Sequence, residues 1–166
     1  ADDHILREPC RRNTAPCIAY VSWKIKARNP KANMVVTPSD HIVMNVTEFR
    51  RVIDSAMKFT ADSDAILTLG MKPTRPETGY GYIEADLTIP STSNKEVYRV
   101  YSFKEKPDLE TAERYIKKNN FFWNAGTFCM ECEYGCKRIA GVSTGHFENF
   151  RKITSLLLYG TGTGND

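Results

Sequence analysis

The chain has 166 residues, which is enough for one domain with its own hydrophobic core. Its apolar fraction of 41% and charged fraction of 26% are ordinary for a globular protein in water. The net charge of +3 is small and spread along the chain, which argues against a nucleic-acid-binding surface. No apolar run approaches the roughly 20 residues of a membrane span, so we expect no membrane partner.

The first part of the chain alternates predicted helices and short buried strands. Apolar residues at helical spacing, preceded by residues that can cap a helix, predict the helices. Short apolar runs closed by turn residues predict the strands. In chain order the elements are a helix over 16–27 capped by Thr14, a strand over 34–37, a helix over 48–59 opened by Thr47, and a strand over 65–69.

The second part predicts several strands and a third helix, listed here in chain order: strands over 80–83 and 97–103, a helix over 109–118 capped by Asp108, and a strand beginning at 121–123. Beyond Glu131 the periodicity is poor, and residues 160–164 are low in complexity. We therefore predict a core over residues 1–143 and an irregular or truncated tail over residues 144–166. The order of elements predicts an α/β fold with a mixed, mostly parallel sheet flanked by helices.

Five cysteines is an odd number, and Cys129, Cys132 and Cys136 lie in one short segment. The Cys129-x-x-Cys132 spacing is compatible with metal or redox chemistry. No second pair and no histidine follows at ligand spacing, so the sequence favours reduced thiols and a cytoplasmic location. The role of the three cysteines stays open.

A glycine- and tyrosine-rich run, PETGYGY at residues 76–82, is followed by the pair Glu105-Lys106. Glycines let backbone approach a ligand closely, and tyrosines offer flat walls with a hydroxyl at the tip. Such a combination suits a small ligand with hydroxyls at one end and an anion at the other, as in a sugar phosphate. The alternative is a hairpin turn beside a solvated charge pair.

Three further positions are candidates for binding chemistry. Asp40 follows a buried strand, where a carboxylate can hold a hard divalent cation or, alternatively, cap the next helix. Residues 12–14 precede a helix, whose N-terminus offers free N–H groups to a base or phosphate, although a well-capped helix explains them equally. Asn124 has an amide that can bond two neighbouring sugar hydroxyls.

Four segments in this order resemble the mannose-1-phosphate guanylyltransferase family of sugar nucleotidyltransferases. The resemblance covers roughly residues 5–128, and the third segment is long and specific. The segments are EPxxRNTAP at 8–16, PSDH at 38–41, TLGxxPTxPETGYGY at 68–82, and FxEKP at 103–107 followed by WNAG at 123–126.

The resemblance implies part of a Rossmann-like nucleotidyltransferase fold and a reaction in which GTP and mannose 1-phosphate give GDP-mannose and pyrophosphate. It implies Mg²⁺ as cofactor. The oligomeric state stays open, and a homodimer is one alternative. The implied roles are Mg²⁺ ligation and catalysis for Asp40; catalysis through the sugar phosphate for Lys106; nucleotide binding for Arg12, Asn13 and Thr14; and sugar binding for Gly79, Tyr80, Glu105 and Asn124.

The sequence departs from the family pattern at two places. The family begins with a glycine-rich phosphate loop, and no such segment precedes Glu8. The family's second metal-binding aspartate has no convincing match after Gly126. We therefore expect a fragment, or ordered segments run together, and we expect the isolated chain to bind GTP weakly and turn over negligibly.

Two alternatives stay open beside this reaction. One is nucleotidyl transfer to another hexose or heptose 1-phosphate, because hydroxyl stereochemistry is not encoded in one motif. The other is a nucleotide-sugar-binding domain without catalysis. Members of the family can also have a fused isomerase domain, on which this sequence is silent.

Overall fold

A computed structural model describes residues 4–8, 10, 13–140 and 155–159. The helices in these ranges are α1 (Thr14–Arg28), α2 (Val46–Ala61), α3 (Leu109–Lys118) and α4 (Cys132–Ala140). The strands are β1 (Asn33–Val36), β2 (Ile66–Met71), β3 (Tyr82–Pro90), β4 (Val97–Lys104), β5 (Phe121–Glu131) and β6 (Ser155–Tyr159). None of the helices in these ranges has both the length and the apolar character that a bilayer crossing demands.

The described strands form one six-stranded sheet in the order β1-β5-β2-β6-β4-β3, and β5 pairs with β3 as well. Because β5 pairs with β1 at one end of this order and with β3 at the other, the sheet is curled. The mixed α/β class is confirmed, but the prediction of a mostly parallel sheet is wrong. Only the pairing of β2 with β6 is parallel among the described strands.

The reason for the antiparallel majority lies in strand β5. Strands β1 and β2 run in the same direction, as the intervening helix α2 leads one to expect. They are not hydrogen-bonded neighbours, however, because β5 inserts between them and is antiparallel to both. The helical connection between β1 and β2 is consistent with their common direction, but the insertion of β5 between them makes the hydrogen-bonded pairs antiparallel.

The helix ends show which capping predictions were correct. Helix α3 has the predicted bounds, and Asp108 Oδ1 accepts a hydrogen bond of 2.7 Å from the Thr111 backbone N–H. Helix α2 begins earlier than predicted, because Asn45 rather than Thr47 is its cap and accepts from the Glu48 N–H at 3.0 Å. Thr14 was predicted as a cap but is the first residue of α1, after Asn13.

Both faces of the sheet are covered. Along each central strand, alternate residues face α2 on one side and α1 with α4 on the other. Leu67 and Cys129 pack with Val52 of α2, whereas Ile66 and Met130 pack with Ile18 of α1. Two buried faces explain why these strands read as continuous apolar runs in the sequence.

Two elements were not predicted from the sequence. Helix α4 has cysteines and a glycine on its buried side: Cys132 and Cys136 are buried, and a Cβ on Gly135 would lie 2.7 Å from Met130 Sδ. Strand β6 lies within the segment predicted as an irregular tail, where it pairs with β2 and β4. The rest of that tail lies outside the described residues.

The cysteines are all unpaired in the structure. Cys129 is buried in the core, and burial raises the pKa of its thiol to about 12. Cys129 packs in a different core cluster from Cys132, on the other face of the sheet. In the described part of the chain, no group of three or more histidine, cysteine or acidic side chains is arranged to hold a metal ion.

Candidate functional site

The candidate site lies where the first half of β5 meets β3 and the loops that follow β1 and β4. Trp123 is paired with Met71 of β2 on one side and with Tyr82 of β3 on the other. The next residue, Asn124, donates its backbone N–H to the carbonyl oxygen of Gly81 at 2.9 Å. The pairing therefore places the WNAG segment directly against the end of the glycine- and tyrosine-rich run.

The side-chain amide of Asn124 is held on its oxygen side. Its Oδ1 accepts from the Gly126 backbone N–H at 3.0 Å and from Thr68 Oγ1 at 3.4 Å. No residue in the described ranges accepts a hydrogen bond from its Nδ2 group. Because the oxygen is occupied and the nitrogen is not, the amide offers donors in a fixed direction to a ligand.

Glu105 lies on the other side of Gly81. A Cβ at Gly81 would meet Glu105 Oε2 at 3.3 Å and Asn124 Cβ at 3.7 Å, so the absence of a side chain lets these two groups approach each other. Lys106 follows with its Nζ 3.8 Å from Glu105 Oε1, and both side chains are more than half exposed. The Glu105 carboxylate and the Asn124 side chain therefore meet at Gly81, and the Lys106 ammonium lies beside the Glu105 carboxylate.

The backbone of Lys106 is strained. Three non-glycine residues in the described part have positive φ, namely Asn13 at 69°, Lys106 at 38° and Asn119 at 57°. Asn119 is explained as the left-handed C-cap of α3, an ordinary place for asparagine. The other two are predicted site residues. Because such strain costs about 1–3 kcal/mol and clusters at functional sites, it favours a functional role for both.

Gly79 and Tyr80 form the turn that enters β3. Glu77 Oε1 accepts from the Gly79 N–H at 3.1 Å, and its Oε2 accepts from Arg75 at 3.2 Å. The hydrogen bond from the Gly79 N–H, and to a smaller extent the one from Arg75, holds the pKa of the Glu77 carboxyl below its usual range. The ring of Tyr80 is 44% exposed and meets Trp123 edge-on, with centroids 5.3 Å apart. Tyr80 thus presents an aromatic wall to solvent beside Trp123.

Asp40 is exposed on the loop after β1, and two contacts tie this loop to β5. Thr127 Oγ1 and Thr37 Oγ1 are 3.4 Å apart, and Pro38 packs on Gly126, where a Cβ would lie 3.1 Å from Pro38 Cγ. The loop that contains Asp40 is therefore anchored beside the WNAG segment.

The structure thus brings Glu105 and Asn124 together at Gly81, with Lys106 beside Glu105. Gly79 and Tyr80 lie in the segment just before Gly81, and Asp40 lies on a loop tied to β5. Asn13 and Thr14 are exposed at the start of α1, and no described contact links them to this group. Arg12 lies outside the described residues. The individual roles stay predictions.

Sequence reasoning missed two residues that support the site, Tyr82 and Glu77. Tyr82 is fully buried, and its hydroxyl bonds the backbone of Glu77. The available signal was the second tyrosine of the run, which alternation along β3 places on the buried side.

Comparison with known proteins shows the family of this chain. Residues 3–146 match the family model described as nucleotidyl transferase. The chain therefore belongs to the nucleotidyl transferase family.

A mannose-1-phosphate guanylyltransferase of Escherichia coli is 41% identical over 134 residues, covering 80% of this chain and 29% of that protein. The mannose-1-phosphate guanylyltransferase ManC of Salmonella typhimurium is 37% identical over 128 residues, covering 76% of this chain and 26% of that protein. The chain thus spans less than a third of the length of these curated relatives.

A solved structure described as mannose-1-phosphate geranyltransferase, from Thermus thermophilus, has a TM-score of 0.71 to this chain at 23% identity. The match covers 93% of this chain and 52% of that one. At this identity the likeness shows that the two chains share a fold.

Gly126 is the position where the site's architecture depends most directly on glycine. Its φ of 67° is unfavourable for other residues, and an added methyl would press on Pro38. We expect Gly126→Ala to lower the free energy of unfolding by about 1–2 kcal/mol, measured by urea titration. The matched control is Gly79→Ala, where the nearest atom to the new Cβ is Glu77 Oε1 at 3.4 Å, an ordinary contact. Equal losses in the two variants would contradict this account.

Proposed function

We propose that this chain belongs to an enzyme that forms GDP-mannose and pyrophosphate from GTP and mannose 1-phosphate, and that it contains the sugar-phosphate side of the active site. One observation supports the proposal above the others. Glu105 and Asn124, from two distant segments, meet at Gly81, and the Lys106 ammonium lies 3.8 Å from the Glu105 carboxylate. Guanylyltransferase names among relatives at 37–41% identity point to the same reaction.

The chemistry of the cluster matches the two ends of a sugar phosphate. The Nδ2 group of Asn124 can donate to a sugar hydroxyl, while the Glu105 carboxylate can accept from one. Lys106 is a mobile point charge suited to a phosphate. Tyr80 can cover the apolar side of the ring, as aromatic side chains commonly do in ligand sites.

In the proposed reaction, a phosphate oxygen of mannose 1-phosphate attacks the α-phosphorus of GTP. A new P–O bond forms, the bond from the α-phosphorus to the bridging oxygen breaks, and pyrophosphate leaves. Such transfers need alignment and charge neutralisation more than covalent help from the protein. Lys106 would neutralise and orient the attacking phosphate, while Asn124 and Glu105 fix the sugar behind it.

The nucleotide side of the proposal rests on the start of α1. Asn13 and Thr14 precede or open that helix, whose first backbone N–H groups lack partners within the helix. We propose that these residues, with Arg12, contact the guanosine of GTP. The positive φ of Asn13 supports this assignment, since it has no capping hydrogen bond to explain it.

Asp40 is the proposed Mg²⁺ ligand. It offers oxygen atoms, which hard cations prefer, on an exposed loop after β1. A single carboxylate fits this ion, because Mg²⁺ is commonly held by one or two carboxylates together with substrate phosphates. When bound, the ion would offset negative charge on the phosphates. We also propose a cytoplasmic location, which the five unpaired cysteines support.

The test of the proposed function is pyrophosphate release from GTP by the full-length protein, across a panel of hexose and heptose 1-phosphates. We expect the highest kcat/KM with mannose 1-phosphate. Higher kcat/KM with another sugar would favour the alternative substrate. Binding of GDP-mannose without pyrophosphate release from any of them would favour the non-catalytic alternative.

For the proposed metal ligand, we expect Asp40→Asn to lower kcat by about 100-fold, because a lost transition-state charge contact costs several kcal/mol. Folding stability should change little, since the side chain is exposed. Asp54→Asn, on the exposed face of α2, is the control for loss of one carboxylate. A kcat for Asp40→Asn within about threefold of wild type would rule out the metal role.

Glu105 and Lys106 should have separable effects. Glu105→Gln keeps the shape but weakens hydrogen bonds to hydroxyls, so we expect it to reduce discrimination among sugars by about tenfold. Lys106→Met removes the phosphate partner and should depress kcat/KM for every sugar phosphate alike. Lys104→Met controls for loss of a nearby positive charge. If both site variants caused the same non-selective loss, the assignment of the two roles would be wrong.

A further inference from the structure

The Tyr82 hydroxyl makes two hydrogen bonds to a single backbone residue. It accepts from the Glu77 N–H at 3.0 Å and donates to the Glu77 carbonyl oxygen at 2.9 Å. Tyr82 itself is 0% exposed. One buried hydroxyl therefore satisfies both backbone polar groups of the residue that begins the turn into β3.

The hydrogen bonds continue from Glu77 into the turn. The Glu77 carboxylate accepts from the Gly79 N–H at 3.1 Å, so the turn closes on a residue whose backbone Tyr82 holds. Gly79 and its neighbour Tyr80 are proposed sugar contacts. The buried hydroxyl is thus connected to the proposed sugar-binding turn by its two hydrogen bonds to the Glu77 backbone and by the hydrogen bond between the Glu77 carboxylate and Gly79.

Tyr82 is well suited to act as a fixed point. Its backbone is paired with Lys104 of β4 on one side and with Trp123 of β5 on the other. Its ring packs in a cluster with Ala112 and Phe121, and Tyr115 lies 5.4 Å away, centroid to centroid. Strands on both sides and a helix above it leave the hydroxyl little freedom to move.

We propose that Tyr82 is a positioning residue for the sugar 1-phosphate: its hydroxyl holds the turn at residues 77–80 in the conformation that receives the sugar. This inference rests on the proposed function, because it takes the sugar to bind at that turn. Tyr82 touches no substrate in this account. It acts through Glu77, so its loss should weaken use of the sugar phosphate and leave the nucleotide side unchanged.

The variant that tests this is Tyr82→Phe in the full-length protein, because it removes one oxygen and keeps the ring. We expect the KM for mannose 1-phosphate to rise by about tenfold, the equivalent of about one hydrogen bond, and the KM for GTP to stay within about twofold. Tyr115→Phe is the matched control: it removes a hydroxyl from the same cluster, and no described residue is hydrogen-bonded to that hydroxyl. It should leave both KM values unchanged.

A second measurement does not depend on catalysis. Backbone amide exchange, followed by NMR without substrate, should be faster for Glu77 and Gly79 in Tyr82→Phe than in Tyr115→Phe. Should Tyr82→Phe fold poorly, Glu77→Gln weakens the next link, and we expect it to raise the sugar KM in the same direction by a smaller factor.

The outcomes separate the two proposals. A wild-type protein that releases no pyrophosphate with any sugar 1-phosphate contradicts the proposed function, and amide exchange then decides whether Tyr82 holds the turn. An active wild type in which Tyr82→Phe raises both KM values equally, or leaves both unchanged, contradicts the positioning role. Unchanged exchange at Glu77 and Gly79 contradicts it as well.

Discussion

The structure depends on the pairing of one long strand, β5, with three others. Its first residues pair with β3 and β2, and its last residues pair with β1 and β2. Between these two stretches the neighbour on one side changes from β3 to β1, and the register with β2 shifts between Thr68 and Gly70. Gly126 lies in this interval and Asn124 borders it, so the candidate site lies beside a gap in the ladder of the sheet.

This gap explains how distant segments meet. Where β5 lacks a strand on one side, other groups take the place: the Pro38 ring lies against Gly126, and Glu105 approaches Gly81. The Thr68 hydroxyl, on the strand with the register shift, lies 3.2 Å from the Thr127 carbonyl oxygen and 3.4 Å from Asn124 Oδ1, and Asn124 Oδ1 accepts from the Gly126 backbone N–H. Backbone groups freed from regular pairing need other partners, and here side chains supply them. The polar cluster thus follows from the way the sheet is interrupted.

Most of the fold was predictable from local pattern. Helices α2 and α3 have clear apolar stripes and capping residues, and the latter was predicted to the residue. Helix α4 was missed because Tyr134 is the only large residue among its buried positions, and the others, Cys132, Gly135 and Cys136, give little periodic contrast within the described part of the helix. The mostly antiparallel pairing was missed because β5 inserts between two strands far from it in sequence, and no local pattern encodes such an insertion.

The site residues were predictable as a motif, but their geometry was not. The alternative of a hairpin turn beside a solvated charge pair is only half correct. The chain bends at residues 78–80, but β2 and β3 both pair with β5 and form no hairpin, whereas Glu105 and Lys106 do form an exposed pair. Spacing in the sequence did not reveal that Glu105 lies beside Asn124, or that a buried tyrosine hydroxyl holds the turn. Both depend on the pairing of β3 with β4 and β5.

The energetics of Lys106 favour binding over stability as the reason for its conformation. A left-handed backbone at a residue other than glycine costs about 1–3 kcal/mol. The exposed pair with Glu105, at 3.8 Å, returns at most about 1 kcal/mol, since such pairs are solvated and entropically costly. The fold therefore gains nothing from this arrangement by itself. A glycine would relieve the strain but would lose the ammonium group, on which the proposed contact with a sugar phosphate depends.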